Sequence, residues 1–333
     1  MPTNPAILIV GGAGYIGSHM VRCVRDAGFE VVVLDNLSTG HADAVIGAHF
    51  IQGDMQDTAL LARLFAEFKV QAVMHFAAFI QVGESVQDPH KYYLNNVAGT
   101  LHLLDAMLKA QVKYFIFSST AAVYGEPEYT PMDEKHRLQP MNPYGQGKRM
   151  IETILADYAA SYDFNYGVLR YFNAAGAAAD GSLCERHDPE THLIPLVLQV
   201  AAGERESIAV YGQDYPTPDG TCVRDYVHVD DLCQAHLLLL RALMSGRKTG
   251  IYNLGTGYGF SVQEVIDAAC EVTGKVIKTV ASPKRAGDPA YLVADASLAK
   301  QELGWQPHYT DLHRIIQQAW VAYQNRLSVV SAS

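Results

Sequence analysis

The sequence predicts an α/β protein, built on a doubly wound parallel sheet with a smaller C-terminal substrate-binding domain. Short apolar runs rich in β-branched residues alternate with stretches of helical periodicity, which implies a parallel sheet covered by helices on both faces. The regular alternation weakens after Asn173, where glycines and prolines become frequent. A chain of 333 residues that is 49% hydrophobic is long enough for both parts.

The first elements enclose a glycine-rich turn. The apolar run Ala6–Val10 predicts a strand, and the periodic stretch Tyr15–Asp26 predicts a helix. Between them lies GGAGYIG, in which Gly11, Gly14 and Gly17 are spaced three apart. The first glycine permits a tight turn, the second lets backbone approach a pyrophosphate, and the third allows close packing of helix and strand. The helix start offers free N–H groups to phosphates, so this unit predicts a Rossmann-type dinucleotide site.

The residue that ends the second strand predicts which dinucleotide binds. An apolar run at residues 31–34 ends at Asp35, 18 residues after Gly17, where a carboxylate can take ribose hydroxyls. Residues 36–49 contain no Arg or Lys, so the 2′-phosphate of NADP would meet this carboxylate without a cation. The sequence therefore predicts NAD. A phosphate loop of the G-x-x-x-x-G-K-[ST] type is absent, which argues against an ATPase.

The remaining elements follow in order along the chain. Strands are predicted at residues 72–77, 114–118 and 166–171, and helices at residues 58–68, 95–110 and 144–160. Ligands of such sheets bind beyond the carboxyl ends of the strands. The candidates at these ends are Asp35, Asp54, Ala77, Ser118, Ser119, Thr120, Phe172 and Asn173. We expect an NAD-binding domain from residues 1–173 with about 225–254, and a substrate-binding domain from residues 174–224 and 255–333.

Composition excludes several other functions. A net charge of −10 argues against nonspecific nucleic-acid binding. The sequence shows no apolar stretch near 20 residues and no signal-like start, and its five scattered cysteines are typical of reduced thiols, so we expect a cytoplasmic protein without membrane association. The possible metal ligands are Cys184, His187 and His192. No fourth ligand lies at a spacing typical of metal sites, so no metal is predicted.

A tyrosine and a lysine carry the predicted chemistry. Asn142 and Pro143 are typical of a helix start, which places Tyr144 and Lys148 one turn apart on one face. A tyrosine of pKa near ~10 is a poor base at neutral pH, and a nearby ammonium favours its phenolate. Lowering the pKa by about three units requires roughly 4 kcal/mol. Thr120, at the end of the preceding strand, is placed to hold the substrate's oxygen.

Two glycines interrupt this helix. Gly145 and Gly147 are poor helix formers, and each destabilises a helix by about 1 kcal/mol relative to alanine. Their presence predicts that another group, such as the cofactor, packs closely there.

These motifs together resemble a known family. The chain is similar to the extended short-chain dehydrogenase/reductases, and within them to the UDP-glucose 4-epimerases, over nearly its whole length. The resemblance rests on GGAGYIG, LDNLSTG, HFAA, VGESV, NNVAGT, FSSTAAVYG, NPYGQGK, RYFNAAGA, DYPTPDGTCVRDYVHVDDL, YNLGTG and AGDPAYLVADAS. The segment DGT-x-x-RDY-x-HV is far more specific than the glycine turn.

The resemblance implies an isomerase that interconverts UDP-galactose and UDP-glucose with permanently bound NAD, through a 4-keto sugar. Tyr144 would take the proton of the 4-hydroxyl, Thr120 would hydrogen-bond that oxygen, and Lys148 would tune Tyr144 and hold the nicotinamide ribose. The implied cofactor contacts are Gly11, Gly14, Tyr15, Ile16, Gly17, Asp35, Asn36, Asp54, Met55, Phe76, Ala77, Ala78, Asn95, Ser118, Tyr144, Lys148 and Phe172. The implied substrate contacts are Thr120, Asn173, His192, Leu193, Ala209, Val210, Tyr211, Arg224, Tyr226, Arg285, Asp288 and Leu292.

The resemblance leaves several points open. Leu292 falls at a position where bulky residues exclude N-acetylated sugars, and a leucine is intermediate, so UDP-GlcNAc and UDP-GalNAc stay open as substrates. UDP-pentoses, UDP-uronates and a noncatalytic NAD-binding regulator are further alternatives. A dehydratase is disfavoured because Ala121 and Ala122 follow Thr120 where an acidic pair is typical. Relatives form homodimers through two helices, which correspond to residues 95–110 and 144–160 here.

Overall fold

The computed structural model describes residues 5–285 and 288–330. Its strands are β1 (Ala6–Val10), β2 (Glu30–Asp35), β3 (His49–Gln52), β4 (Val70–His75), β5 (Tyr114–Thr120), β6 (Asn165–Tyr171), β7 (Asn173–Ala175), β8 (Ile208–Tyr211), β9 (Val223–Arg224), β10 (Tyr226–His228), β11 (Thr249–Leu254), β12 (Phe260–Ser261), β13 (Thr279–Ser282) and β14 (Tyr291–Leu292). Its helices are α1 (Tyr15–Asp26), α2 (Thr58–Glu67), α3 (Val82–Gln87), α4 (Pro89–Tyr92), α5 (Gly99–Lys109), α6 (Pro143–Ser161), α7 (Leu193–Ala202), α8 (Val229–Met244), α9 (Val262–Thr273), α10 (Ser297–Leu303) and α11 (Leu312–Val330).

Seven strands form the predicted parallel sheet, in the order β11-β6-β5-β4-β1-β2-β3. Every pairing within it is parallel. The strand order reverses between β1 and β4, which opens a crevice at their carboxyl ends where ligands of such sheets bind. The predicted doubly wound fold is therefore confirmed.

Strand β1 shows why the sheet is buried on both faces. Ile7 and Ile9 point into a core formed with α1, α8 and α10, whereas Leu8 and Val10 point into a core formed with α2, α5 and α6. Side chains alternate between the two faces of a strand, so a strand covered on both sides must be apolar at every position. This is the physical reason for the unbroken run AILIV.

A smaller unit packs at the carboxyl edge of the sheet. Strand β7 pairs with β10, β8 pairs with β13, and β9 lies between β12 and β14. Helices α7, α9 and α11 cover these strands with a third apolar core, which includes Val197, Ile266 and Ile315. The segment that contains α10 and Trp305 packs instead against the large sheet, where the Trp305 indole donates to the Asp231 carbonyl at 2.9 Å.

Several predicted elements differ from the expected bounds by one or more residues, and two of the differences are informative. Strand β4 stops at His75 because the N–H groups of Phe76 and Ala77 both turn to the carbonyl oxygen of Val10, at 2.8 and 3.1 Å. The helix predicted from residue 95 starts as a π-helical turn, Tyr93–Ala98, and is α-helical only from Gly99. None of the helices in residues 5–285 and 288–330 has the length and apolar character needed to span a membrane.

Candidate active site

A cavity of about 470 Å³ lies at the carboxyl edge of the sheet. This volume is in the range of small-molecule and cofactor sites. Every residue that the resemblance assigned to the cofactor lines it. The predicted substrate residues that line it are Thr120, Asn173, His192, Arg224, Asp288 and Leu292.

The glycine turn has the shape that a diphosphate requires. Gly11 has φ +84° and a Cβ there would lie 2.4 Å from the Ala77 nitrogen, so only glycine fits this turn. A Cβ at Gly17 would lie 2.0 Å from the Gly11 carbonyl oxygen. At Gly14 the nearest atom would be 3.5 Å away, and no side chain caps α1 at this residue. The uncapped helix start faces the cavity, so these residues fit the pyrophosphate of a dinucleotide.

Acidic side chains occupy the adenosine end of the cavity. Asp35 accepts hydrogen bonds from the backbone N–H groups of Ala13, at 2.9 Å, and Leu37, at 2.8 Å. The Asp35 side chain therefore connects the glycine turn to the end of β2, and it also faces the cavity. Asn36 donates to Asp54 at 2.8 Å, which holds a second carboxylate in the cavity wall. This acidic surface favours ribose hydroxyls and opposes an added phosphate.

The start of α6 brings the catalytic candidates into the cavity. The Asn142 side chain accepts from the Gly145 N–H at 2.9 Å and caps the helix, as predicted. A Cβ at Gly145 would lie 2.4 Å from the Ala122 carbonyl oxygen, so the group that packs against this glycine is protein backbone. At Gly147 the nearest atom would be a Val97 methyl at 3.5 Å, and no close neighbour explains this glycine. Close packing is thus observed at Gly145, and for Gly147 it stays a prediction.

The electrostatics of the Tyr144/Lys148 pair differ from the expectation. Burial raises the pKa of Tyr144 to about 12, while the neighbouring Thr120 hydroxyl acts in the opposite direction. Burial also lowers the pKa of Lys148 to about 7, against the pull of Glu152. The Lys148 ammonium lies 6.0 Å from the centre of the Tyr144 ring and donates to the Ser118 carbonyl at 2.8 Å. In the protein alone, burial thus sets the direction of both pKa shifts.

A buried charge pair supports this helix, and sequence reasoning missed it. Glu152 lies one turn beyond Lys148, and its carboxylate accepts two hydrogen bonds from Arg170, at 2.6 and 3.0 Å. The Ser119 hydroxyl donates to the same carboxylate at 2.7 Å. Both charged side chains are at most 2% exposed. The only signal in the sequence is the spacing of four between Lys148 and Glu152.

Two predicted substrate residues on the far wall pair with each other. Arg224 donates to the Asp288 carboxylate and also to the carbonyl oxygens of Val223, at 2.7 Å, and Pro289, at 3.0 Å. The guanidinium is thereby held at the cavity wall, where a fork of donors suits a phosphate group.

The other predicted substrate residues do not line the cavity. They are Leu193, Ala209, Val210, Tyr211, Tyr226 and Arg285. Leu193 begins α7, and Tyr226 is buried in the core of the smaller unit. Ala209, Val210 and Tyr211 belong to β8, whose neighbour is β13. The Arg285 guanidinium stacks over the Tyr211 ring at 3.8 Å. Their assignment to substrate stays a prediction.

Comparison with known proteins agrees with this site. Residues 7–255 match the model of the NAD dependent epimerase/dehydratase family. The chain belongs to this family. Among its relatives is a UDP-glucose 4-epimerase of Lacticaseibacillus casei, 49% identical over 320 residues, which are 96% of this chain and 97% of that protein.

Solved structures of the family are similar throughout. A UDP-glucose 4-epimerase from Brucella ovis in complex with NAD has a TM-score of 0.93 and 48% identity, covering 95% of this chain and 97% of that one. A UDP-glucose 4-epimerase from Bifidobacterium longum in complex with NAD+ and UDP has a TM-score of 0.91 and 39% identity. The match covers 97% of this chain and 99% of that one. Membership of the family makes NAD the cofactor that the glycine turn and the acidic surface accommodate.

Proposed function

We propose that this protein interconverts UDP-galactose and UDP-glucose. The observation that carries the proposal is the placement of Tyr144, Lys148 and Thr120 in one cavity with the dinucleotide turn. The close relatives named above are UDP-glucose 4-epimerases over almost their full length. The protein is an NAD-dependent UDP-sugar 4-epimerase, and its part in galactose metabolism follows from that reaction.

The chain's own residues manage a proton and hold the sugar. NAD, when bound, supplies the hydride acceptor and a positive charge that favours the phenolate of Tyr144. Tyr144 takes the proton of the sugar's 4-hydroxyl and later returns it. Thr120 hydrogen-bonds the same oxygen. Lys148, held by Ser118, adds the positive charge that offsets part of the burial cost of the phenolate.

The far wall fits the UDP half of the substrate. Arg224 offers its guanidinium to the diphosphate, and Asp288, which now accepts from it, offers a carboxylate to ribose hydroxyls. Leu292 lines the cavity, and a leucine is smaller than the bulky residues that the resemblance associates with exclusion of an acetamide group. N-acetylated UDP-sugars are therefore a second class of substrate to test.

Dehydration is a poorer interpretation of the same site. Ala121 and Ala122 follow Thr120 in a short 3-10 turn, so no acid stands next to it to protonate a leaving hydroxyl. The site holds a base for the 4-hydroxyl proton but lacks that second group.

The organisation of the chain is part of the proposal. We assign NAD to the seven-stranded unit and the UDP-sugar to the smaller one. The five cysteines are all free, which fits a reducing compartment, and we assign the protein to the cytoplasm. We also propose a homodimer through α5, α6 and the turn before α5. Exposed Leu94 and Met150 support this, whereas Leu104 and Met107 are buried against the chain's own sheet.

The test needs only purified protein and UDP-galactose. Incubated without added NAD, the protein should produce UDP-glucose until the two sugars reach equilibrium, as measured by chromatography of the nucleotide sugars. Parallel reactions with UDP-GlcNAc, a UDP-pentose and a UDP-uronate would rank the substrates. Protein that retains NAD but converts none of these sugars would contradict the proposal and favour a noncatalytic regulator.

A further inference from the structure

Four metal-ligating side chains meet in the loop between β7 and α7. They are Glu185, His187, Glu190 and His192, and one ligand atom from each lies within 4.8 Å of all the others. The group occupies a wall of the cavity, which Glu185, His187 and His192 help to line. None of these four takes part in the proton chemistry described above.

The ligand atoms lie close enough together for one metal ion to contact all four. His187 Nδ1 lies 2.9 Å from Glu185 and 3.9 Å from Glu190, and His192 Nδ1 lies 2.6 and 3.4 Å from the same two carboxylates. Ligands held tetrahedrally at 2.0–2.1 Å from zinc are about 3.3 Å apart. The observed separations fall on both sides of that value.

The imidazoles lie close to the carboxylates but are not oriented to hydrogen-bond with them. Both Nδ1 atoms are buried, and neither makes a hydrogen bond with any residue in the described part of the chain, although carboxylate oxygens lie close by. The ring nitrogens face the oxygens without directing an N–H at them. Such an arrangement brings lone pairs together and is favourable when a cation lies between them.

The negative charge of the two glutamates also favours a bound cation. The carboxylates of Glu185 and Glu190 are only 8% and 5% exposed. Two nearly buried carboxylates this close together concentrate negative charge in one place. A divalent ion offsets both charges at once. Glu190 is already fixed for this role, because its Oε1 accepts from the N–H groups of Thr191, at 2.7 Å, and His192, at 2.8 Å.

We propose that Glu185, His187, Glu190 and His192 bind one divalent metal ion, of the zinc class. Two imidazole nitrogens and two carboxylate oxygens in a four-coordinate set suit Zn²⁺ better than Ca²⁺ or Mg²⁺, which prefer six or more oxygen ligands. Because the protein provides all four ligands, the ion is structural.

The ion would join the loop to both halves of the site. The His187 ring lies edge-on to the Tyr15 ring, with centroids 6.5 Å apart, and the Tyr15 hydroxyl donates to the Gly176 carbonyl at 2.7 Å. His192 precedes the first residue of α7. A metal here would thus fix the dinucleotide turn against the first helix of the smaller unit.

The sequence did not predict this site because Cys184 lies near His187 and His192 in the chain, and these three residues have no fourth ligand at a typical spacing. The structure brings both glutamates to the histidines and leaves the cysteine outside the group.

Metal analysis of the untagged holoenzyme tests the proposal directly. Protein from zinc-supplemented medium, dialysed against metal-free buffer, should retain about one zinc per chain by mass spectrometry. Chelator-stripped protein should bind Zn²⁺ at one saturable site, with a rise in Tm. Stripped protein should also bind Co²⁺ with the strong visible absorption of four-coordinate cobalt. None of these readouts depends on sugar turnover, so they succeed or fail independently of the proposed reaction.

Single substitutions then locate the ion. His187→Ala and Glu190→Gln should each weaken zinc binding by more than about tenfold. The matched control is His313→Ala, because His313 pairs with Glu271 at 2.9 Å on the exposed surface. This control should bind zinc as the unchanged protein does. If a variant fails to fold, the result for the unchanged protein still decides: no retained metal, no saturable Zn²⁺ binding and no Tm shift would overturn the proposal.

Discussion

Replacing Lys148 by methionine should make the protein more stable while abolishing its activity. Lys148 is 5% exposed, and burial lowers its pKa from 10.5 to about 7. The unfolded chain therefore binds this proton more tightly than the folded protein does, and protonation favours unfolding at every pH below 10.5.

The size of the effect follows from these two pKa values. Protonation of Lys148 in the unfolded chain costs the folded protein about 4 kcal/mol at pH 7 and about 2 kcal/mol at pH 9. The cost is complete below pH 7 and vanishes as the pH rises above 10.5. Methionine fills similar space but leaves the Ser118 carbonyl without its 2.8 Å donor, which costs about 1–3 kcal/mol. The net gain at pH 7 should be about 1–3 kcal/mol.

Urea unfolding of nucleotide-free protein at pH 7 and pH 9 measures this difference. Lys148→Met should be the more stable protein at pH 7, and its advantage should shrink by about 2 kcal/mol at pH 9. The control is Lys109→Met, because Lys109 is 75% exposed and pairs with Asp105 at the surface. A Lys148→Met protein that is less stable at pH 7, by an amount that does not change with pH, would refute the reasoning.

Three further predictions concern the charged and apolar walls of the site. Glu152→Gln should destabilise the protein by about 3–5 kcal/mol in urea unfolding, because the buried Arg170 loses its counter-charge; an unchanged midpoint would show that the pair contributes little. Asp35→Ala removes the acceptor of the Ala13 N–H and the ribose contact, so the purified protein should contain less NAD per chain, and full occupancy would contradict this role. Leu292→Tyr should reduce any turnover of UDP-GlcNAc while sparing UDP-galactose, and equal loss on both substrates would argue against its role in sugar selection.

Short sequence motifs were enough to predict those parts of the site that are formed by neighbouring residues in the chain. The glycine turn, α1 and the Asn142 cap depend on residues within a few positions of one another, and each lies where the sequence placed it. The alternation of strands and helices likewise predicted the parallel sheet, because a helix between two strands returns the chain to the end of the sheet where the first strand began.

Contacts between distant residues could not be predicted in the same way. Arg170 and Glu152 lie on different elements, and Arg224 meets Asp288 across 64 positions of sequence. The raised pKa of Tyr144 has the same origin, because burial depends on the whole fold and the Lys148 spacing alone suggested the opposite shift. Spacing gives the partners within one helix but not the desolvation they experience.

The most direct test of the account is Tyr144→Phe, compared with Tyr158→Phe farther along α6. The first variant keeps the ring and loses only the hydroxyl in the cavity, whereas Tyr158 lies near Tyr162 and Phe164, away from the cavity. Tyr144→Phe should retain bound NAD and convert UDP-galactose about 10²- to 10⁴-fold more slowly, while Tyr158→Phe should match the unchanged protein. Conversion by Tyr144→Phe at the unchanged rate would contradict the assignment of this hydroxyl as the base.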